Sequence, residues 1–377
     1  MPFDVTSSIA LPNATRGRRT RPVAVWLFAM CAMLLVMVSL GGATRLTGSG
    51  LSIMEWKPIM GALPPWSDAE WQRLYRLYQQ IPQYALVNQG FGIAGFKHIF
   101  WLEWTHRLWG RLIGLAFLGP LVWFALRGAI GRRLAWRLGL LFLLGGLQGA
   151  IGWFMVASGF AADSTAVSPY RLVVHLVMAL SLYAAIFWTA LTLWQDGTAP
   201  APAGLRVRGL QSLIAGTCCA VALTIVAGGF VAGLHAGLTY NSFPLMDGSL
   251  VPAGIAQLQP FVRNITENVA TVQFDHRLLA TVTALLASAT LIVGLRGGVA
   301  GRLRTALLAL GLAVLGQYAL GVTTLLWVVP PALGTMHQAM AVLVLTAALA
   351  ALHAGRSQVA ASATRARILA PVLKDVR

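Results

Sequence analysis

Eight long apolar stretches recur along this chain of 377 residues. A helix needs about 20 mostly apolar residues to cross roughly 30 Å of hydrocarbon, and it satisfies its own backbone hydrogen bonds where water is excluded. The stretches therefore predict eight membrane-spanning helices, at residues 23–43, 104–126, 136–157, 171–194, 210–233, 274–295, 305–327 and 335–354. The predicted fold class is an all-α integral membrane protein, and its first partner is the lipid bilayer.

The charge of the chain agrees with a membrane location. Only 10% of the residues are charged, whereas soluble proteins average about 25%. The net charge of +17 is spread over short basic runs between the apolar stretches, not gathered on one polar face or arm as in a nucleic-acid-binding protein. We therefore expect no nucleic-acid partner. Because Cys31, Cys218 and Cys219 all lie in apolar stretches, we also expect no disulfide framework and no zinc site.

The basic runs also predict the orientation of the chain. With eight spans the connecting segments alternate between two sides, and 18 of the 28 Lys and Arg residues, counting Arg137 at the start of the third span, then share the side of the N-terminus. Segments rich in Lys and Arg stay in the cytoplasm. Both termini are therefore predicted to be cytoplasmic, and segments 44–103 and 234–273 external. The expected location is the bacterial inner membrane, or the mitochondrial inner membrane for a eukaryotic chain.

The two halves of the chain resemble each other. The matching positions are Gly41-Gly42 with Gly228-Gly229, Lys57–Met60 with Phe243–Met246, His106-Arg107-Leu108 with His276-Arg277-Leu278, Gln148 with Gln317, Gly152 with Gly321, and His175 with His337. Four spans are an even number, so both halves enter the membrane in the same orientation and form a parallel repeat. We predict two pseudo-symmetric four-helix bundles, at 23–195 and 210–354, with cytoplasmic segments at 1–22, 196–209 and 355–377.

Four histidines lie near the external ends of the even-numbered spans, each within roughly the first six residues: His106, His175, His276 and His337. Ionisable side chains inside a span are costly and usually functional, although a single histidine can simply bond a neighbouring helix. Zinc and copper sites usually add Cys, Asp, Glu or a third His. One histidine pair in each bundle suits the two axial positions of a haem. The other three, His98, His235 and His353, are expected to be solvated or interfacial.

The two halves differ beside the first histidine of each pair. Glu103 precedes His106 by three residues and so shares its helix face, whereas the matching residue in the second half is Gln273. We expect Glu103 to point toward the haem of the first half, at an external edge open to water. The alternative is a helix-terminal charge that complements the macrodipole. Arg107 and Arg277 follow the histidines, and they either pair with haem propionates or extend to the interface.

Several motifs together resemble the haem A synthase family, in the type shared by mitochondria and many aerobic bacteria. They are RLTGSGLSIxxWKPIxGALPP from Arg45, ExxHR from Glu103, AGLxAGxxYNSFPLMDG from Ala232, and His276-Arg277. The first of these is rich in Gly, Pro and Ser, which argues for turns packed over a bundle. The resemblance runs from about Gly41 to His337. The external cysteine pair of some bacterial relatives is missing, so no redox switch of that kind is expected.

The resemblance implies that haem O is converted to haem A for cytochrome oxidase assembly. Successive hydroxylations would take the C8 methyl to a gem-diol, which loses water to leave the formyl group. The family would place substrate haem O between His106 and His175, with Glu103 as the catalytic carboxylate, and a haem b cofactor between His276 and His337. The implied partners are a haem O synthase and a ferredoxin-like or quinol electron donor, with a homo-oligomer left open.

Two other functions fit parts of the sequence. A di-haem b-type electron-transfer protein explains four histidines, but it does not explain a carboxylate in only one half. A transporter with histidine proton relays explains the repeat, but not the lack of buried charge on the cytoplasmic side. Pigment extraction separates the three: haem A or its intermediates, only haem b, or no haem.

The predicted orientation can be tested with reporters. Fusion of a reporter that is active only outside the membrane should give no signal at the C-terminus and a strong signal within the 44–103 segment, because the Lys and Arg distribution keeps the termini inside. An active C-terminal fusion would contradict the assignment.

Overall fold

The computed structural model describes residues 13–162, 164–195 and 207–374, and over these residues the chain is almost entirely helical. The helices are α1 (Asn13–Leu46), α2 (Asp68–Tyr78), α3 (Pro82–Leu86), α4 (Gly92–Leu126), α5 (Arg132–Ala157), α6 (Pro169–Gln195), α7 (Val207–Gly233), α8 (Asn264–Glu267), α9 (Val269–Arg296), α10 (Gly301–Leu326) and α11 (Pro331–Lys374). Much of the predicted segments 1–22 and 196–209, and the end of 355–377, lies outside the described residues.

Eight of these helices are long and apolar enough to cross a membrane: α1, α4, α5, α6, α7, α9, α10 and α11. They coincide with the eight predicted stretches, which confirms the all-α, eight-span class. Large apolar side chains remain exposed along them, for example Leu115 and Leu312. Such surfaces are stable only against lipid. The chain is thus a multi-pass membrane protein.

One helix boundary differs strongly from the prediction. The second span was expected to begin at residue 104, but α4 begins at Gly92 and has 35 residues. A helix of this length extends about 50 Å, well beyond the hydrocarbon, so its first turns stand outside the membrane. These turns carry Phe96 and Phe100, which pack on Trp71 of α2. His106 therefore lies in the middle of a long helix and not within its first six residues.

The spanning helices contact one another in two closed sets. In the first quartet, defined as α1, α4, α5 and α6, each helix packs on the next and α6 returns to α1. In the second quartet, defined as α7, α9, α10 and α11, the same order of contacts closes from α11 to α7. Contacts of α1 and α6 with α7 and α11 join the quartets. These are contacts that two four-helix bundles would make; the pseudo-symmetry between them stays a prediction.

The external segment after α1 forms turns, as its Gly, Pro and Ser content predicts. Short 3₁₀ turns occupy Ser49–Leu51 and Met60–Ala62, and no α-helix forms between α1 and α2. Ser67 then caps α2 by accepting a hydrogen bond from the Glu70 backbone N–H, which satisfies a donor that the first helical turn leaves free. The segment folds over the external end of α4.

Acidic pH should loosen this external segment. Hydrogen bonds from Arg73 hold the pKa of both Glu55 and Glu70 below their ordinary values. A carboxyl group whose pKa falls on folding stabilises the fold above its unfolded pKa of about 4.3 and loses that contribution as pH drops through the folded value. Hydrogen-exchange protection of α2 should be constant from pH 8 to 5 and fall below about pH 4. Arg73→Gln should weaken this dependence, and an unchanged profile in that variant would contradict the explanation.

Candidate functional site

The four predicted histidines are arranged as two pairs. His106 on α4 and His175 on α6 belong to the first quartet. His276 on α9 and His337 on α11 belong to the second quartet, with ring centroids 6.5 Å apart and planes at 89°. Each imidazole remains partly accessible. Each quartet thus presents two half-buried histidines.

The second pair fits one metal atom between its imidazoles. Metal–imidazole bonds are about 2 Å long, and rings with centroids 6.5 Å apart leave space for such an atom. The Nδ1 of His276 lies 3.2 Å from the Thr224 backbone oxygen and can donate to it, which would leave Nε2 with a free lone pair. The buried Nδ1 of His337 has no hydrogen-bond partner within the described chain. The spacing of the two imidazoles is compatible with the two axial positions of a haem. Among the described residues, no group of three or more His, Cys, Asp and Glu could hold a metal ion.

A glycine on an adjacent helix packs against each of the four imidazoles. A Cβ built on these glycines would lie 3.3 Å from His106 for Gly41, 2.8 Å from His175 for Gly152, 2.9 Å from His276 for Gly228, and 2.8 Å from His337 for Gly321. Three of these distances are shorter than real Cβ contacts allow. The glycines are therefore required where they stand, because a side chain would displace the ring.

Two glutamines complete the surroundings of the second histidine of each pair. Gln148 donates from Nε2 to the backbone oxygen of His175 at 2.9 Å, and the same nitrogen lies 3.0 Å from the ring Nδ1. Gln317 donates to the backbone oxygen of His337 at 3.1 Å. The sequence comparison of the halves aligned these glutamines and glycines but gave them no role. The signal was the spacing within each pair, since the glutamine precedes the glycine by four residues in both halves.

Glu103 is enclosed, contrary to the expectation of an edge open to water. Glu103 is only 2% exposed. One carboxylate oxygen accepts from the Ser52 hydroxyl at 2.7 Å and the Ile53 N–H at 2.9 Å, and the other accepts from Arg107. The cause is the outward extension of α4, which brings the 49–57 turns over this position. The carboxylate therefore ties the external segment to the helix.

Gln273 takes the equivalent position in the second quartet. Its Nε2 donates to the backbone oxygens of Ala236 and Thr239, both at 2.6 Å, and its Oε1 accepts from Arg277 at 2.9 Å. Each quartet thus fastens an external loop to a spanning helix through a residue four positions before an arginine. A carboxylate does this in the first quartet and an amide in the second.

Both arginines are engaged by these loops. Arg107 donates to the backbone oxygens of Ile53 at 2.8 Å and Glu55 at 3.0 Å, as well as to Glu103. Arg277 donates to the backbone oxygens of Ser242 and Tyr240. The contacts of the two arginines therefore do not favour the suggested pairing with propionates. Carbonyl groups of the turns compete for the same N–H donors.

Of the other three histidines, two lie as expected. His98 on α4 and His235 after α7 are exposed. His353 was expected at a wet interface, but it is only 7% exposed. Its imidazole packs edge-on against Trp188 at 4.8 Å, and its Nε2 lies 3.1 Å from the Thr192 hydroxyl. The reason is that α11 continues past this position and packs against α6.

Fold and site together define a class of protein: an eight-span helical membrane protein with two pairs of intramembrane histidines packed on glycines. Residues 24–349 match the family described as cytochrome oxidase assembly protein, COX15-CtaA. A protein of Granulibacter bethesdensis named "Heme A synthase" is 62% identical over 334 residues, which cover 89% of this chain and 87% of that protein. The chain belongs to the COX15-CtaA family.

Two further relatives carry the same name. The protein of Azorhizobium caulinodans is 50% identical over 90% of this chain and 95% of its own length. That of Nitrosospira multiformis is 45% identical over 95% of this chain and 100% of its own length. The residues matched by the family, 24–349, span both quartets and the positions of all four histidines.

The glycine contacts predict that alanine substitutions at two glycines of α5 have opposite effects on stability. Gly152→Ala places a methyl 2.8 Å from the His175 ring, and such overpacking costs about 1–3 kcal/mol. Gly149→Ala is the matched control, since nothing lies within 4 Å of its Cβ, and Ala in a helix is favoured over Gly by about 0.5–1 kcal/mol. Thermal unfolding in detergent should show a lower Tm for the first variant and an equal or higher Tm for the second. Equal Tm values would contradict the contact.

Proposed function

We propose that this chain is a haem A synthase that oxidises the C8 methyl of haem O to the formyl group of haem A. The observation that carries the proposal is the presence of two histidine pairs, each held against glycines, in a chain 62% identical to a protein of that name. The reaction proceeds by successive hydroxylations of the methyl carbon, and the gem-diol then loses water. The enzyme is an oxidoreductase acting on a CH group.

The two quartets divide the work. His106 and His175 hold the substrate, haem O, in the first quartet, where Gly41 and Gly152 leave room for their rings. His276 and His337 hold a haem b cofactor in the second quartet. When bound, that cofactor supplies electron transfer between the substrate site and a donor. The protein contributes axial nitrogens, orientation and a cavity from which water is excluded.

Glu103 is the catalytic carboxylate of the proposal. The first quartet has this carboxylate beside its histidine pair, whereas the second has the neutral Gln273. Hydroxylation requires protons to leave the reacting carbon and its oxygen, and a positioned carboxylate accepts them. The Ser52 hydroxyl and the Arg107 guanidinium hold the carboxylate in a fixed orientation. The same contacts keep the external turns closed over the site, so a test must separate catalysis from closure.

The setting follows from the orientation of the chain. Both termini face the cytoplasm of a bacterial inner membrane, or the matrix of mitochondria. A haem O synthase supplies the substrate, and a ferredoxin-like protein or a quinol donates electrons at the second quartet. Pigments extracted from membranes that contain the chain and haem O should include haem A. Extraction of haem b alone would favour the di-haem electron-transfer protein.

The cofactor ligands can be tested by spectroscopy. His276→Ala or His337→Ala should each remove the low-spin haem b signal from purified protein, because the iron loses one axial nitrogen. His98→Ala, at an exposed position on α4, is the control and should keep the signal. A normal low-spin spectrum in both ligand variants would overturn the assignment.

The role of Glu103 can be tested with three variants. Glu103→Gln keeps the shape and reproduces the residue of the second quartet, so the variant should fold and hold haem b. It should form haem A about 10²–10⁴-fold more slowly, with haem O or a hydroxylated intermediate accumulating. Ser52→Ala removes a loop contact but keeps the carboxylate, and it should lose far less activity.

Gln273→Glu is the matched control in the second quartet and should not restore activity to the Glu103→Gln chain. Haem A formation by Glu103→Gln at the wild-type rate would limit Glu103 to fastening the external turns. Equal losses in Ser52→Ala and Glu103→Gln would also favour loop closure over proton transfer.

A further inference from the structure

Arg45, near the external end of α1, lies on the side of that helix that faces His106. Gly41 packs on the His106 ring, and residues four apart share a helix face. Arg45 therefore lies about 6 Å farther out on nearly the same face. Its long side chain begins one turn above the first histidine pair, between the two quartets.

The guanidinium of Arg45 has few partners for a buried charge. Its Nη1 donates to the Ala232 backbone oxygen at 3.0 Å, while its buried Nε has no partner within the described chain. The ion pairs among the described residues all involve other cations: Lys57, Arg73, Arg107 and Arg263. Buried charges are normally paired. A guanidinium with one neutral acceptor and a free N–H therefore suits an anionic ligand.

The other arginines near the site are less suited to this role. Arg107 already has a carboxylate partner in Glu103 and two carbonyl acceptors. Arg277 holds the 240–245 loop of the second quartet. The Nε of Arg277 is also buried without a partner among the described residues, but of these three arginines only Arg45 contacts a spanning helix and not a loop, so it can bind a carboxylate without releasing a loop.

The repeat has no cation equivalent to Arg45 on the first helix of the second quartet, although the Arg45 guanidinium itself reaches α7 of that quartet. The match of Gly41 with Gly228 aligns Arg45 with Ala232, whose backbone oxygen is the group that Arg45 contacts. The second quartet thus has a methyl group where the first has a guanidinium. A ligand anchored by this charge would be recognised in one quartet only.

We propose that Arg45 binds a propionate carboxylate of the porphyrin in the first quartet. A guanidinium and a carboxylate form two parallel, charge-assisted hydrogen bonds. Such a pair fixes the rotation of the macrocycle about its axial ligands, which decides the ring edge that meets the catalytic carboxylate. The inference rests on the proposed function, because it requires a haem between His106 and His175.

The test compares two probes on the full chain in lipid nanodiscs, with the second quartet already loaded with haem b. Ferric protoporphyrin IX carries free propionates, and its dimethyl ester does not. The wild-type chain should bind the free acid about tenfold more tightly or better, as expected for a hydrogen bond to a charged group. Arg45→Gln should lose this preference while its affinity for the ester is unchanged.

Two further variants complete the design. Arg127→Gln, an exposed arginine at the opposite end of α4, is the charge-matched control and should keep the preference. Arg45→Met removes the charge without leaving a buried polar group, and it replaces Arg45→Gln if that variant does not retain its haem b spectrum. It should lose the preference in the same way.

The outcomes separate the two claims. Absence of any porphyrin binding that depends on His106 would overturn the proposed function. Binding with an unchanged preference for the free acid in Arg45→Gln or Arg45→Met would overturn the role of Arg45 and leave the proposed function standing. An equal loss of affinity for both probes would make Arg45 a structural link between the quartets, which also overturns the proposal.

Discussion

The close contact between a histidine ring and the backbone of a neighbouring helix is the constraint on which the site depends. Helices in lipid gain little from burying apolar surface, so small residues that permit close approach decide how they pack. Here each glycine lets its helix pack directly against an imidazole. At Gly152 and Gly321 an added Cβ would lie 2.8 Å from the ring, which leaves no room for a side chain. The position of each helix and the orientation of its neighbour's ligand are thus fixed together. A substitution that loosens one also displaces the other.

The external loops obey a second requirement. Their backbone carbonyls lie over the ends of the quartets, and buried carbonyls need donors. Arg107 and Arg277 supply these donors from the spanning helices. The two arginines adjacent to the proposed iron ligands therefore hold the loops, and the propionate contacts suggested by their sequence position stay a prediction. Loss of these arginines would expose the site to water before it changed any ligand.

Hydropathy and charge predicted the eight spans because both are local properties of the chain. The beginning of α4 was missed because Phe96 and Phe100 are held helical by packing on Trp71, a residue outside the span. The burial of His353 was missed for a similar reason, since Trp188 belongs to another helix. The contacts of Glu103 depend on turns about 50 residues earlier. The histidines themselves were predictable, because an ionisable residue inside an apolar stretch can be recognised from the sequence without knowing its neighbours in the fold.

The two quartets differ in charge, and in the same sense at both of the positions compared. Glu103 and Arg45 are charged, and their counterparts, Gln273 and Ala232, are neutral. A cofactor that stays bound needs axial ligands, and each quartet has a pair of histidines that could serve as such. A substrate that enters and leaves must be recognised and turned to one orientation in every cycle, and fixed charges do this because their interactions are directional and strong when water is excluded. If the first quartet takes the substrate, both of its extra charges have a use. If it held a second permanent haem, the difference in charge between two otherwise similar quartets would have no explanation.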